Sequence, residues 1–179
     1  MAVDRMRVLS AMMDQGVIPV FNHPDSEVCK KVIKACADGG AKCIEFTNRD
    51  TFAAHVFLEV TRHFAVADHS VSMGVGSIVD APTAGLFIAN GAQFVVGPVL
   101  NAEVAKVCNR RKIAYSPGCG SMSEISAAEE LGCEIVKIFP GDSVGGPEFV
   151  KSALGPCPWM RIMTTVEVCC REGWVSRVF

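Results

Sequence analysis

Seven short apolar runs separated by helix-period stretches predict a (β/α)8 barrel of the TIM-barrel type. The runs are Val17–Phe21, Cys43–Thr47, Val71–Gly74, Phe94–Val96, Ile113–Ser116, Ile135–Phe139 and Arg161–Met163. They start at 17, 43, 71, 94, 113, 135 and 161, so the spacing is 26, 28, 23, 19, 22 and 26 residues. Repeats of that size mean parallel strands joined by right-handed helical crossovers. Seven in a row favour a barrel, whose usual count is eight. An open doubly wound sheet is the alternative. It lacks its signature, because the first run is followed by Phe21-Asn22-His23-Pro24-Asp25 rather than G-x-G-x-x-G.

The helices follow from period and punctuation. Ser26–Ala37 places Val28, Val32, Ile33 and Cys36 on one side and Lys30, Lys31 and Lys34 largely on the other. Asp25 or Ser26 can cap it, and Gly39-Gly40 stops it. Phe52–Val66 repeats the pattern, Ala81–Asn90 and Ala102–Arg110 follow, and Pro147–Leu154 is the last. Ser121-Met122-Ser123-Glu124 is a capping-box signal opening the helix that ends at Leu131-Gly132.

The 179 residues, half of them hydrophobic, suffice for one domain with a sizeable core, and no linker divides residues 1–179. Net charge is −2, and Arg110-Arg111-Lys112 is the densest cationic patch, too short for a nucleic-acid site. No run approaches the roughly 18 apolar residues of a membrane helix. The N-terminal stretch carries charges throughout, which does not suit a signal peptide. Nine cysteines, an odd number without a C-x-x-C pair, argue against zinc and for small core residues in a reduced compartment. The expectation is a cytoplasmic protein with no metal, no nucleic acid and no membrane among its partners.

Barrel sites lie at the C-terminal ends of the strands. Side chains alternate along a strand, so Ile135, Lys137 and Phe139 share one face and Val136 and Ile138 the other. The second run likewise turns Cys43, Glu45 and Thr47 inward and leaves Ile44 and Phe46 to the helices. A lysine facing that interior must pair with an acid or spend part of its time neutral. A plain Glu45–Lys137 ion pair is one reading, and a reactive amine is the other. The ion pair alone leaves unexplained why Arg49 and the Gly-rich turns gather at the same end. Four histidines need no function: His23 reads as a loop residue, while His55, His63 and His69 lie in or after a helix. Cys119 reads as a small filler, and Asp142 and Ser143 as loop caps.

A longer pattern is present. Gly39-Gly40-x-x-x-Ile44-Glu45-Phe46-Thr47-Asn48-Arg49 is followed by Gly74-Val75-Gly76-Ser77-Ile78 and by Gly91-Ala92-Gln93-Phe94-Val95-Val96-Gly97-Pro98. Then come Ser116-Pro117-Gly118, Val136-Lys137-Ile138-Phe139-Pro140 and Gly145-Gly146. In this order, from about residue 5 to residue 163, they resemble the 2-keto-3-deoxy-6-phosphogluconate (KDPG) / 4-hydroxy-2-oxoglutarate (KHG) aldolases. The resemblance implies a class I, metal-independent aldolase, commonly trimeric, that cleaves a 2-oxo acid to pyruvate and an aldehyde. It implies Lys137 as the imine-forming residue, so that the covalent imine replaces any cofactor, and Glu45 as general acid/base working through a water. It implies Arg49 for the substrate carboxylate, Ser77 in place of a threonine in the carboxylate pocket, and Pro98 and Phe139 as walls around the pyruvate moiety.

The tail departs from the pattern. Where the family has Pro-Thr-Gly-Gly, whose backbone amides help bind phosphate, this chain reads Thr164-Thr165-Val166-Glu167-Val168. Either Thr164 or Thr165 can stand for the family threonine, and the last one or two βα units are missing or altered. Trp174–Phe179 is the only candidate for an eighth strand. A missing strand predicts an open edge, and the missing glycines predict poor discrimination in favour of phosphorylated substrates. Beside the active aldolase stand two alternatives: a truncated, weakly active or inactive relative serving as a binding or assembly subunit, and a different Schiff-base lyase or decarboxylase.

Overall fold

The computed structural model describes residues 4–67, 71–167 and 174–178; His69, Cys169, Cys170 and Phe179 lie outside them. The elements in order are α1 (Arg5–Gln15), β1 (Val17–Phe21), α2 (Ser26–Asp38), β2 (Cys43–Thr47), α3 (Ala53–Ala67), β3 (Ser72–Gly76), α4 (Ala81–Ala89), β4 (Phe94–Val96) and α5 (Ala102–Arg111). They continue with β5 (Ala114–Ser116), β6 (Gly118–Cys119), α6 (Met122–Glu130), β7 (Val136–Ile138), a 3-10 turn (Asp142–Val144), α7 (Gly146–Leu154), β8 (Ile162–Glu167) and β9 (Trp174–Val178). Every expected run carries a strand. The third is displaced toward the C-terminus, so Val75 and Gly76 belong to β3 rather than to the turn after it.

The caps are those that the residues favour. Asp25 accepts from the Glu27 N–H at 2.8 Å and opens α2. Ser121 Oγ accepts from the Glu124 N–H at 3.3 Å. The Glu124 carboxylate reaches back one residue further than a standard capping box, to the Gly120 N–H at 2.6 Å.

β1, β2, β3, β4 and β5 pair in parallel, as do β6, β7 and β8. β5 and β6 are two halves of one stave, broken at Pro117, which has no N–H for the ladder. Ser116 is in register with Val96 on one side, and Gly118 with Lys137 on the other. The Pro117 carbonyl accepts from the Lys137 N–H at 2.9 Å. One flank of the barrel is thereby joined.

The other flank corrects the expectation of an open edge. β9 lies between β8 and β1 and pairs antiparallel with both, Thr165 opposite Ser176 and Ile18 opposite Ser176. The direction follows from chain length. A parallel partner for β8 needs a crossover of about a dozen residues or more, and only residues 168–173 separate β8 from β9. The eighth stave is present but reversed, and it covers the backbone edges of both neighbours.

Alternation sorts the core into two. Ile44, Phe46, Val75, Val95, Val136 and Ile138 face outward and pack with the helices. Ile18, Cys43, Phe94, Ala114, Ile135 and Met163 face inward and pack with Val8, Leu9 and Met12 of α1. α1, which the sequence reading did not assign, therefore plugs the N-terminal end of the barrel. Arg5 fastens it, donating from Nη1 to Asn109 Oδ1 at 2.7 Å and from Nη2 to the Gly132 carbonyl and Glu134, each at 2.6 Å. Only the C-terminal end is left for a site. Among the described residues no helix is long and apolar enough to cross a membrane.

Candidate active site

At that end a cavity of about 120 Å³ is lined by Val20, Glu45, Arg49, Ser77, Gly97, Pro98, Lys137, Phe139 and Thr165. It is smaller than the roughly 300 Å³ at which drug-sized sites begin, so it suits a ligand of a few heavy atoms. Seven of the eight residues expected from the sequence meet here. The eighth, Thr164, points the other way. Met163 is in the inward core and Ile162 in the outward one, so alternation turns Thr165 inward and Thr164 outward, where Thr164 Oγ1 lies against Gly141. Val20 and Gly97 line the cavity without having been singled out. Val20 lies two residues beyond inward-facing Ile18, and Gly97 precedes Pro98, which the resemblance implies as a wall.

Lys137 is 7% exposed, and its Nζ sits over the Phe139 ring, 5.5 Å from the centroid. Among the described residues four ion pairs form, Arg5–Glu134, Lys30–Glu27, Lys34–Asp38 and Lys106–Glu103, and none involves Lys137 or Glu45. The plain ion-pair reading is therefore not what the barrel contains. Glu45 is 1% exposed, and its Oε2 has no hydrogen-bond partner among the described residues; Thr165 Oγ1 is in the same condition. Burial pushes the Glu45 carboxyl up from its ordinary value, while the positive charges of Lys137 and Arg49 pull it part of the way back. Arg49 donates from Nε to Ser77 Oγ at 3.2 Å.

The Glu45 shift has a stability consequence. A carboxyl whose folded-state pKa is raised binds its proton more tightly in the native state, so stability falls as pH rises from the unfolded value, near 4.5, through the folded one. Glu45→Gln keeps the shape and removes the titration. The variant is expected to melt with the native protein in acid and above it at neutral pH. Thermal melts of the pair across pH check this, and a gap that stays constant from acid to neutral pH contradicts it.

The other candidates resolve as structural. His23 Nδ1 accepts from the Asp25 N–H at 3.0 Å, and the His55 and His63 rings lie against Phe52 and Phe64. Cys119 is buried, its thiol pushed up to about 12 chiefly by burial, with Glu124 and Cys133 adding to the shift. It is therefore an inert filler. Asp142 caps a turn through its carbonyl, which accepts from the Gly145 N–H. No group of His, Cys, Asp and Glu among the described residues could hold a metal ion.

A model of the KDPG and KHG aldolase family matches residues 8–172. The chain is 30% identical over 158 residues to a 2-dehydro-3-deoxy-phosphogluconate aldolase of Treponema pallidum, covering 88% of this chain and 73% of that protein. It is 25% identical to the KHG/KDPG aldolase of Escherichia coli over 83% of this chain and 68% of that one. The KDPG aldolase of Legionella pneumophila, solved with pyruvate captured at low pH as a covalent carbinolamine intermediate, has the same fold. It gives a TM-score of 0.77 at 24% identity, covering 84% of this chain and 71% of that one.

Proposed function

This chain belongs to the KDPG and KHG aldolase family, and from that membership we propose that it is a class I aldolase cleaving a 2-oxo acid, KDPG or KHG, to pyruvate and an aldehyde. The observation that carries the reading is the buried Lys137, unpaired among the described residues, sharing a small cavity with the buried acid Glu45 and with Arg49.

Arg49 takes the substrate carboxylate; a planar guanidinium suits that bidentate task. Lys137 Nζ attacks the keto carbon, forming a carbinolamine that loses water to a protonated imine. Glu45, through a water, takes the proton of the C4 hydroxyl. The C3–C4 bond breaks, the aldehyde leaves, and the electron pair is delocalised into the imine as an enamine. Glu45 returns the proton to C3, and hydrolysis frees pyruvate and the amine. The imine is the electron sink, so the chemistry requires no metal. Pro98 and Phe139 wall the pyruvate moiety, and the Thr165 hydroxyl is available to substrate or water.

The reversed eighth stave removes a basis for preferring phosphorylated substrates. Thr164, Thr165 and Val166 are in register with Arg177, Ser176 and Val175, so the backbone that would otherwise cradle an anion belongs to a sheet ladder. Among the described residues the cationic side chains lining the cavity are Lys137 and Arg49. Both KHG and KDPG should be cleaved to pyruvate, with kcat/KM values of the same order. A preference for KDPG of about 100-fold, roughly 2.7 kcal/mol, would overturn this, and release of no pyruvate from either would overturn the aldolase itself.

We extend the reading to a single barrel unit over residues 1–179, a reducing, cytoplasmic setting and a homotrimer. Phe52, Val79, Leu86 and Val99, on the loops and helix beyond β2, β3 and β4, are each half or more exposed. Large apolar residues so placed near the mouth suit burial against another copy. Sizing of the intact protein should give a trimer, and Val99→Glu should shift it toward monomer; a monomeric native protein contradicts the assembly.

A further inference from the structure

Among the described residues only Ser77 and Lys112 adopt a positive φ without being glycine, at 61° and 55°. Lys112 closes the C-terminus of α5, where left-handed backbone is ordinary. Ser77 ends no helix. It follows β3 directly, and its neighbours are pinned to the staves on either side. The Asn48 N–H donates to the Gly76 carbonyl at 2.9 Å, and the Ile78 N–H donates to the Val96 carbonyl at 3.2 Å. Between those pins the chain must turn through a region that favours glycine and costs an L-residue about 1 kcal/mol or more. A serine there forgoes the cheaper backbone, and what it supplies instead is a hydroxyl. That hydroxyl accepts the Nε–H of Arg49 at 3.2 Å.

Arg49 is fixed at its own backbone, its N–H donating to the Thr47 carbonyl at 3.0 Å. A guanidinium offers a carboxylate two kinds of paired edge, one through Nε and an adjacent Nη, the other through both Nη groups. With Nε engaged, the side-on edge is closed and only the end-on edge is free. We propose that Ser77 is a positioning residue for Arg49: it holds the guanidinium by Nε, so that the 2-oxo acid carboxylate docks end-on against the two Nη groups. The inference rests on the aldolase reading above and adds to it a residue that acts through Arg49 rather than on substrate.

Ser77→Gly is the informative variant, because glycine relieves the backbone and removes only the hydroxyl. KM for KHG should rise about 10-fold, the scale of one hydrogen bond to a charged group. The kcat should be unchanged, and Tm should hold or rise as the backbone cost is relieved. Ser77→Thr restores the hydroxyl and should bring KM back toward the native value. In an Arg49→Lys background, where no Nε exists, Ser77→Gly should add nothing. A Ser77→Gly effect of full size in that background makes Ser77 a direct substrate ligand and overturns the proposal, as does an unchanged KM or a loss confined to kcat. Trapping with pyruvate and borohydride separates the two levels. No adduct on the native protein overturns the aldolase reading and this proposal together. An adduct with an unchanged KM overturns this proposal alone.

Discussion

Lys137→Met abolishes aldol cleavage, with kcat down by about 10³-fold or more, and leaves the fold intact. The magnitude reflects the loss of the nucleophile, without which the imine route is closed. Among the described residues no other amine lines the cavity, and the Arg49 guanidinium is no substitute nucleophile. Lys30, Lys34 and Lys106 are paired with acids on the outer helices. Methionine keeps an unbranched apolar stem of similar length against Phe139 and removes a largely buried amine that forms no ion pair among the described residues. The melting temperature should therefore hold or rise. Two measurements check it. Steady-state pyruvate release gives the rate, and incubation with pyruvate and borohydride should add mass to the native protein at Lys137 and none to the variant. Retention of more than about 1% of native kcat by the variant, or a native adduct mapped to another lysine, contradicts the assignment.

The parts of this molecule that are local in sequence were legible from it. The strand at Cys43–Thr47 and its alternation place Glu45 inward, and the same rule applied to Val136–Ile138 faces Lys137 toward it. What was not legible depends on relations between distant parts of the chain. The direction of β9 is set by how few residues separate it from β8, and Trp174–Val178 reads the same in either direction. α1 was hidden by its charges: Asp4, Arg5 and Arg7 crowd the residues just before Val8 and Leu9, and the barrel's N-terminal opening explains why those apolar residues are buried. The choice between Thr164 and Thr165 was within reach, since an inward Met163 already turns Thr165 to the cavity. The backbone of Ser77 was not, because nothing in a serine announces a positive φ that its pinned neighbours impose.

Gly76→Ala is the second large effect, and it acts through Glu45. Gly76 is the last residue of β3, in register with Thr47 on β2. A methyl group added there would overlap Glu45 Oε1 and lie 2.7 Å from its Cδ. Glu45 is 1% exposed, so it cannot yield toward solvent. The space open to it is the 120 Å³ cavity, where a displaced carboxyl both leaves its place as acid/base and occupies substrate volume. Losing a positioned acid/base costs about 10²–10⁴-fold in kcat, and KM should rise as well. Overpacking a strand in this way should also cost about 1–3 kcal/mol of stability. The double variant Gly76→Ala/Glu45→Ala separates the two consequences, because removing the carboxyl removes the overlap. Its melting temperature should recover toward the native value while its kcat stays low. If Gly76→Ala turns over at the native rate, the carboxyl does not work from the position it occupies here. If stability fails to recover in the double variant, the strain lies in the β2–β3 backbone rather than in the side chain.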